Sequence, residues 1–178
     1  CAGIFDVSHM GEVEVRGPQA TDFIQNLVTN DVSVMNENQV IYAMMCYPSG
    51  GIVDDLLVYK HTNEFYLLVI NASNVEKDFQ WMKDNIGSYD VELKNISEDV
   101  SEIAIQGPKA EEILQELTDT DLSEIAFFYF KTDVKIAGRN CLVSRTGYTG
   151  EDGFEIYMRH EDAEHVWDKM LEAGKDRV

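Results

Sequence analysis

The sequence predicts an α+β fold of antiparallel sheets with packed helices, built from two related β-(Gly-Pro)-α units. Three observations predict it: a segment that recurs along the chain, a hairpin signature between the two copies, and strands and helices that mix without strict βα alternation. The recurrence lies at an offset of 90 residues, where Val13-Glu14-Val15-Arg16-Gly17-Pro18-Gln19-Ala20 lines up with Ile103-Ala104-Ile105-Gln106-Gly107-Pro108-Lys109-Ala110. Each copy reads as strand, Gly-Pro, helix. Pro fits the first helical turn because the N–H it lacks would have no partner there. Apolar residues then recur at helical spacing, as Ala20, Phe23, Ile24, Leu27 and Val28 in one copy and Ala110, Ile113, Leu114 and Leu117 in the other. Both copies end in polar stretches, Thr29-Asn30-Asp31 and Thr118-Asp119-Thr120-Asp121. Two copies are too few for a stacked array, so the division expected is a first α+β unit over 1–89 and a second over 90–178, together one region of a longer protein.

Between the copies, Val40 to Cys46 and Ile52 to Lys60 read as strands, and Tyr47-Pro48-Ser49-Gly50-Gly51 supplies the turn. A polar turn from His61 to Glu64 leads into a third strand, Phe65 to Ile70. Val75, Phe79, Met82 and Ile86 then mark one face of a helix, with Asn71 and Ser73 as candidate N-caps. Downstream, Ala126 to Phe130, Val134 to Ala137, Cys141 to Arg145 and Phe154 to Met158 read as short strands. Val166, Trp167, Met170 and Leu171 mark a last helix that ends at Gly174.

Composition narrows the function. In 178 residues, 14 Lys and Arg stand against 33 Asp and Glu, for a net charge of −19. That field repels phosphate backbones and anionic lipid, which argues against nucleic-acid and membrane partners. The cysteines Cys1, Cys46 and Cys141 form no CxxC pair and no zinc spacing, so a reduced, cytoplasmic setting without metal is expected. No apolar run reaches membrane-spanning length, and the sequons at Asn71 and Asn95 read as chance matches.

Several residues are out of place for a plain scaffold. Asp54 and Asp55 interrupt Ile52-Val53-Asp54-Asp55-Leu56-Leu57-Val58-Tyr59, and neighbours in a strand point to opposite faces, so each shares a face with apolar residues. A desolvated carboxylate needs backbone donors, a cation or a ligand rich in N–H groups to offset its cost. The alternative is an edge strand that leaves both aspartates wetted near the turn. Gly147-Tyr148-Thr149-Gly150-Glu151-Asp152-Gly153 reads as a hairpin loop and not as a phosphate cradle, and it sets a second candidate acceptor, Glu155, on the following strand. His160 and His165 are five apart and so miss the HExxH face, while His9 reads as a turn histidine with no adjacent nucleophile. Tyr42, Met44, Met45, Tyr66 and Trp81 are assigned to the core by default, though an aromatic and a Met could equally sandwich a planar ring.

Phe5-Asp6-Val7-Ser8-His9-Met10-Gly11, Leu27-Val28-Thr29-Asn30-Asp31-Val32, Gly50-Gly51-Ile52-Val53-Asp54-Asp55-Leu56, Val69-Ile70-Asn71-Ala72-Ser73, Glu76-Lys77-Asp78 and Gly147 to Glu155 resemble, in register, the folate-dependent aminomethyltransferase family, the T-proteins of the glycine cleavage system. The Gly-Tyr-Thr-Gly-Glu run looks more like T-protein than like its iron–sulfur-assembly relative. Family proteins are longer, so the chain looks like an interior piece lacking an N-terminal segment and a C-terminal domain.

The resemblance implies a tetrahydrofolate site in this region. It places the family's key catalytic aspartate on Asp55, with Asp54 as the alternative one register away, the pterin-contacting asparagine on Asn71 and the glutamate on Glu155. Ring-packing or flanking contacts fall on Met10, Tyr42, Val69 and Tyr148. The implied reaction carries the aminomethyl carbon from the lipoyl arm of the H-protein to tetrahydrofolate, releasing ammonia and leaving 5,10-methylenetetrahydrofolate, a step of glycine catabolism and one-carbon metabolism. The family meets the folate carboxylates with basic residues from the segment beyond this chain. Two other functions remain open from the sequence: a non-catalytic folate-binding or iron–sulfur-assembly member of the same superfamily, and an acidic protein-interaction domain.

Overall fold

The computed structural model describes residues 1–178 and places ten strands and four α-helices along the chain. In order these are β1 (Gly3–Asp6), β2 (Gly11–Arg16), α1 (Ala20–Leu27), β3 (Val40–Cys46), β4 (Ile52–Thr62), β5 (Phe65–Ile70), α2 (Val75–Asp84) and β6 (Glu92–Asn95). There follow β7 (Val100–Gln106), α3 (Ala110–Gln115), β8 (Phe130–Ile136), β9 (Arg139–Ser144), β10 (Gly153–Arg159) and α4 (Ala163–Gly174). The α+β class with antiparallel sheets is what the structure has, in two units of one five-stranded sheet each.

The unit Met10–Ser97 has strand order β3-β4-β5-β2-β6. One face of its sheet presents Val13, Val15, Ala43, Met45, Leu56, Val58, Tyr66, Leu68 and Ile70 to Phe23, Ile24 and Leu27 of α1 and Met82 of α2. The second unit, Cys1–His9 with Glu98–Val178, has order β1-β7-β10-β9-β8. Its core sets Ile103, Ile105, Val143, Phe154 and Ile156 with Ile113 and Leu114 of α3 and Val166 and Met170 of α4.

Read from the repeated strand, the two sheets have one topology, with β2, β3, β4 and β5 matched by β7, β8, β9 and β10. The edge strand beside the repeated strand comes from opposite ends of the chain segment: β6 follows α2, whereas β1 precedes β7. Those pairings explain why the units divide at 9/10 and 97/98 and not at 89/90. Glu92–Asn95 completes the β2 ladder, and Gly3–Asp6 completes the β7 ladder, so each segment goes where its backbone groups find partners.

The repeat extends to side chains. Gln25 Oε1 accepts from Val32 N and its Nε2 donates to the Asn30 carbonyl, while Asp31 accepts from Ser33 N and Oγ. At the same offset Gln115 Oε1 accepts from Leu122 N, its Nε2 donates to the Thr120 carbonyl, and Asp121 accepts from Ser123 N and Oγ. Each Gly-Pro is a turn two residues ahead of its helix and not the first helical turn itself. Ala20 N donates to the Gly17 carbonyl at 3.1 Å and Ala110 N to the Gly107 carbonyl at 2.9 Å, which puts Pro at the turn position that its fixed φ suits. Gly17, at φ +139°, also passes so close to the chain that a Cβ would lie 2.4 Å from the Asp90 carbonyl oxygen.

Two further expectations are corrected. The strands expected over 126–130 and 134–137 are one strand, Phe130–Ile136, whose ladder slips between Lys131 and Val134. Neither Asn71 nor Ser73 caps the helix; Asn74 precedes α2 and makes no side-chain cap bond, and its Nδ2 donates to Asp54.

Candidate active site

In the Met10–Ser97 unit, β4 lies between β3 and β5 and is not an edge, so the aspartate pair is not simply wetted. Asp54 pairs with Met45 and points to the core side, where it is 8% exposed. Asp55 is half-buried and pairs with Met44 on the opposite face. That face continues in the next row as Tyr42, Leu57, Val69 and Glu12, because directly paired residues of antiparallel strands share a side.

The two aspartates differ in how they are satisfied. Asp54 Oδ2 accepts from Asn74 Nδ2 at 2.6 Å, and its Oδ1 accepts from Asn71 Nδ2 at 3.1 Å and from Asp55 N at 3.0 Å. Burial pushes its pKa up, but bonds from Asp78, Asn74, Asp55 N and Asn71 outweigh that and hold it below the ordinary aspartate value. Asp55 receives only the outer contact of the Asn71 amide, at 3.3 Å, and a hydrogen bond from the Tyr42 hydroxyl, whose pKa is raised chiefly by that bond. Asp54 is thus a carboxylate held in place by its donors, while Asp55 keeps acceptor capacity for a ligand.

Asn71 joins them. It sits one residue past the end of β5, and its Nδ2 reaches Asp54 Oδ1, the Asp55 carbonyl at 3.1 Å and Asp55 Oδ1. Beneath it, at the start of α2, Lys77 Nζ donates to the Val53 carbonyl at 2.6 Å and stands 4.0 Å from Asp54 and 3.5 Å from Asp78. Asp78 is fully buried. Burial first, then the bond to Asp54 and the charge on it, push the Asp78 carboxyl up to about 7, with Lys77 opposing.

The second unit carries its own concavity, a cavity of about 240 Å³ walled by Phe5, Val7, Ala104, Gln106, the 147–149 loop and Glu155. Glu155 is 5% exposed and accepts from the Thr146 hydroxyl at 2.5 Å, which is in turn 2.9 Å from the Ser144 hydroxyl. Gln106 fixes the loop: its Nε2 donates to the Thr146 carbonyl at 3.0 Å and its Oε1 accepts from the Thr149 hydroxyl at 3.1 Å. Gly147 crosses Gln106 so closely that a Cβ there would lie 2.2 Å from Oε1. Tyr148, at the rim, is 87% exposed.

The structure therefore gathers Tyr42, Asp54, Asp55, Val69 and Asn71 at one end of one sheet, and Tyr148 with Glu155 at a cavity of the other unit. Val69 is buried at 2% exposure and supports the face, and Met10 is partly buried at the entry to β2. Tyr42, assigned by default to the core, is 53% exposed, because its row lies on the face away from α1 and α2. His9 occupies an exposed turn. Sequence reasoning did not single out Asn74, Asp78, Thr146 or Gln106. For Asp78 a signal existed: an acid in the Val75, Phe79, Met82 stripe, at the spacing of the helix's buried face.

No helix is long and apolar enough to cross a membrane. No group of three His, Cys, Asp or Glu side chains is arranged to hold a metal ion.

Comparison with known proteins identifies the family of the chain. The chain is 68% identical over 176 residues to an aminomethyltransferase of Alkaliphilus oremlandii (strain OhILAs), a match covering 99% of this chain and 48% of that protein. It is 66% identical over 175 residues to an aminomethyltransferase of Caldanaerobacter subterraneus subsp. tengcongensis, covering 98% and 47%. The chain spans about half the length of the curated relatives it matches. Among solved structures, the glycine cleavage system aminomethyltransferase T from Bartonella henselae superposes with a TM-score of 0.88 at 29% identity, over 99% of this chain and 46% of that one. A heterotetrameric sarcosine oxidase from Corynebacterium sp. U-96 shares the fold, with a TM-score of 0.70 at 16% identity, over 98% of this chain and 84% of that one. The family model described as the GCVT N-terminal domain matches residues 1–177, and the chain belongs to that family.

Proposed function

We propose that this chain is the folate-binding part of a glycine cleavage aminomethyltransferase, in a cytoplasmic setting. The enzyme transfers the aminomethyl carbon from the lipoyl arm of a lipoylated H-protein to tetrahydrofolate, with release of ammonia and formation of 5,10-methylenetetrahydrofolate. One observation carries the reading: a half-buried carboxylate, Asp55, left with open acceptor capacity beside a second carboxylate that is fully engaged. A ligand whose ring edge is rich in N–H groups is the complement of such a site.

The residues divide the work. Asp55 orients the folate nitrogen that attacks the aminomethyl carbon, and its charge offsets the positive charge that develops there. Tyr42 and Asn71 fix the Asp55 carboxylate, and Asp54 fixes Asn71. Glu155, backed by Thr146, is an acceptor for the aminopyrimidine edge, with Tyr148 as a ring-stacking platform and Met10 and Val69 as apolar flanks. No protein nucleophile is required, so catalysis rests on position and electrostatics.

Calorimetric titration of tetrahydrofolate into the protein and into Asp55→Ala and Glu155→Ala tests the reading. Saturable binding that both substitutions weaken supports it. Binding that neither substitution changes moves the folate site away from these residues, and no binding even by the full-length protein leaves an acidic interaction domain as the better account.

A further inference from the structure

Asp78 lies one helical turn after Asn74 and has no exposed surface. Neither of its oxygens accepts a well-formed hydrogen bond from an N–H group. Two charged groups face it, the Asp54 carboxyl from β4 and, from its own helix, Lys77 Nζ at 3.5 Å. Lys77 is already committed to the Val53 carbonyl.

Two carboxyl groups hydrogen-bond to each other only when one keeps its proton. Three donors, from Asn74, Asn71 and the Asp55 backbone, favour the charged form of Asp54. Asp78 has no such set, so the proton belongs to Asp78. We propose that Asp78 is a positioning residue: as a neutral acid it donates to Asp54, keeps that carboxylate as a singly charged anchor for the Asn71 and Asn74 amides, and thereby fixes the Asn71 amide against Asp55. The consequence for function rests on the role proposed above for Asp55; the shared proton rests on these residues alone.

The arrangement has a direction in pH. Asp78 titrates at about 7, so the pair is intact below that pH and is lost as pH rises through it. Above it, two like charges share a buried site with Lys77 alone to offset them, and the Asn71 amide loses its fixed anchor.

The test reads the proton directly. Infrared difference spectra taken below pH 7 in a Glu12→Gln background, which removes the other buried neutral carboxyl of this unit, should show a protonated-carboxyl stretch that Asp78→Asn abolishes. In the parent, the side-chain amide resonances of Asn71 and Asn74 should shift with the midpoint at which that stretch disappears. In Asp78→Asn they should stay fixed, since the new amide donates to Asp54 at every pH. Tetrahydrofolate should bind Asp78→Ala about tenfold or more weakly than Asp78→Asn, the loss expected for a bond to a charged acceptor. A stretch that survives Asp78→Asn in the Glu12→Gln background, or Asn71 and Asn74 amides indifferent to its loss, overturns the proposal, as does equal binding by the two variants. Should Asp78→Ala not fold, the stretch and the amide shifts of the parent decide. Failure of the full-length protein to bind tetrahydrofolate would sink the folate reading, and the stretch and amide shifts would still accept or reject the shared proton.

Discussion

Glu12 offers the most quantitative check on the physical reasoning. Its side chain is fully buried on β2 and both carboxyl oxygens lack a hydrogen-bond partner. Burial pushes its pKa from the ordinary 4.5 to about 8. Between those values the folded state holds a proton that the unfolded state has released, so stability is full below pH 4.5 and falls as pH rises toward 8. At pH 7.5 the penalty covers about three pH units at about 1.4 kcal/mol each, or about 4 kcal/mol. Glu12→Gln removes the charge and keeps the shape. It should therefore match the parent within about 1 kcal/mol near pH 4.5 and exceed it by about 4 kcal/mol at pH 7.5. Urea denaturation followed by tryptophan fluorescence measures this in a Trp167→Phe background, where the remaining Trp81 packs on the core of the unit that holds Glu12. Asp78 titrates in both proteins and cancels from the difference. Parallel pH profiles for the two proteins would refute the argument, because they would mean that Glu12 is ionised or solvated in the folded chain.

Two further outcomes follow from the site. Asp55→Asn should lower turnover by about a hundredfold while changing tetrahydrofolate affinity much less, since the substitution keeps the shape and removes the charge; single-turnover kinetics beside calorimetry separate the two, and equal losses in both would contradict the electrostatic role. Thr146→Val removes the donor to Glu155 and should weaken tetrahydrofolate binding about tenfold without altering single-turnover chemistry at saturation, a rate loss with unchanged affinity being the contrary result.

The fold was legible where one local rule decided the outcome. The Gly-Pro repeat, the β3–β4 hairpin and the α1 stripe each follow from turn chemistry and periodicity, and all are present. The unit boundary was not legible, because β1 and β6 are assigned by which open ladder they complete, a long-range matter of backbone pairing. The Phe130–Ile136 strand was read as two pieces because its slip at 131–134, with Asp133 at φ 57°, breaks the alternation without breaking the strand. The aspartate pair was conspicuous as acids in an apolar run, but which aspartate faces the core depends on register, which only the pairing of Asp54 with Met45 fixes.

The same pairing explains how so acidic a chain tolerates carboxyls in its interior. Asp54 is charged and fully served, Asp78 is held neutral beside it, and Glu12 is held neutral by burial alone. Of the Asp54 and Asp78 pair only Asp54 thus keeps its charge, close to Lys77, and that charge is used to orient Asn71. Asp55, on the other face, is spared any structural duty beyond contacts with Tyr42 and Asn71. A carboxylate whose neighbours are satisfied without it is free to meet a ligand, and replacing Asp54 by Ala should therefore disturb Asn71 and the site around Asp55 even though Asp55 itself is untouched.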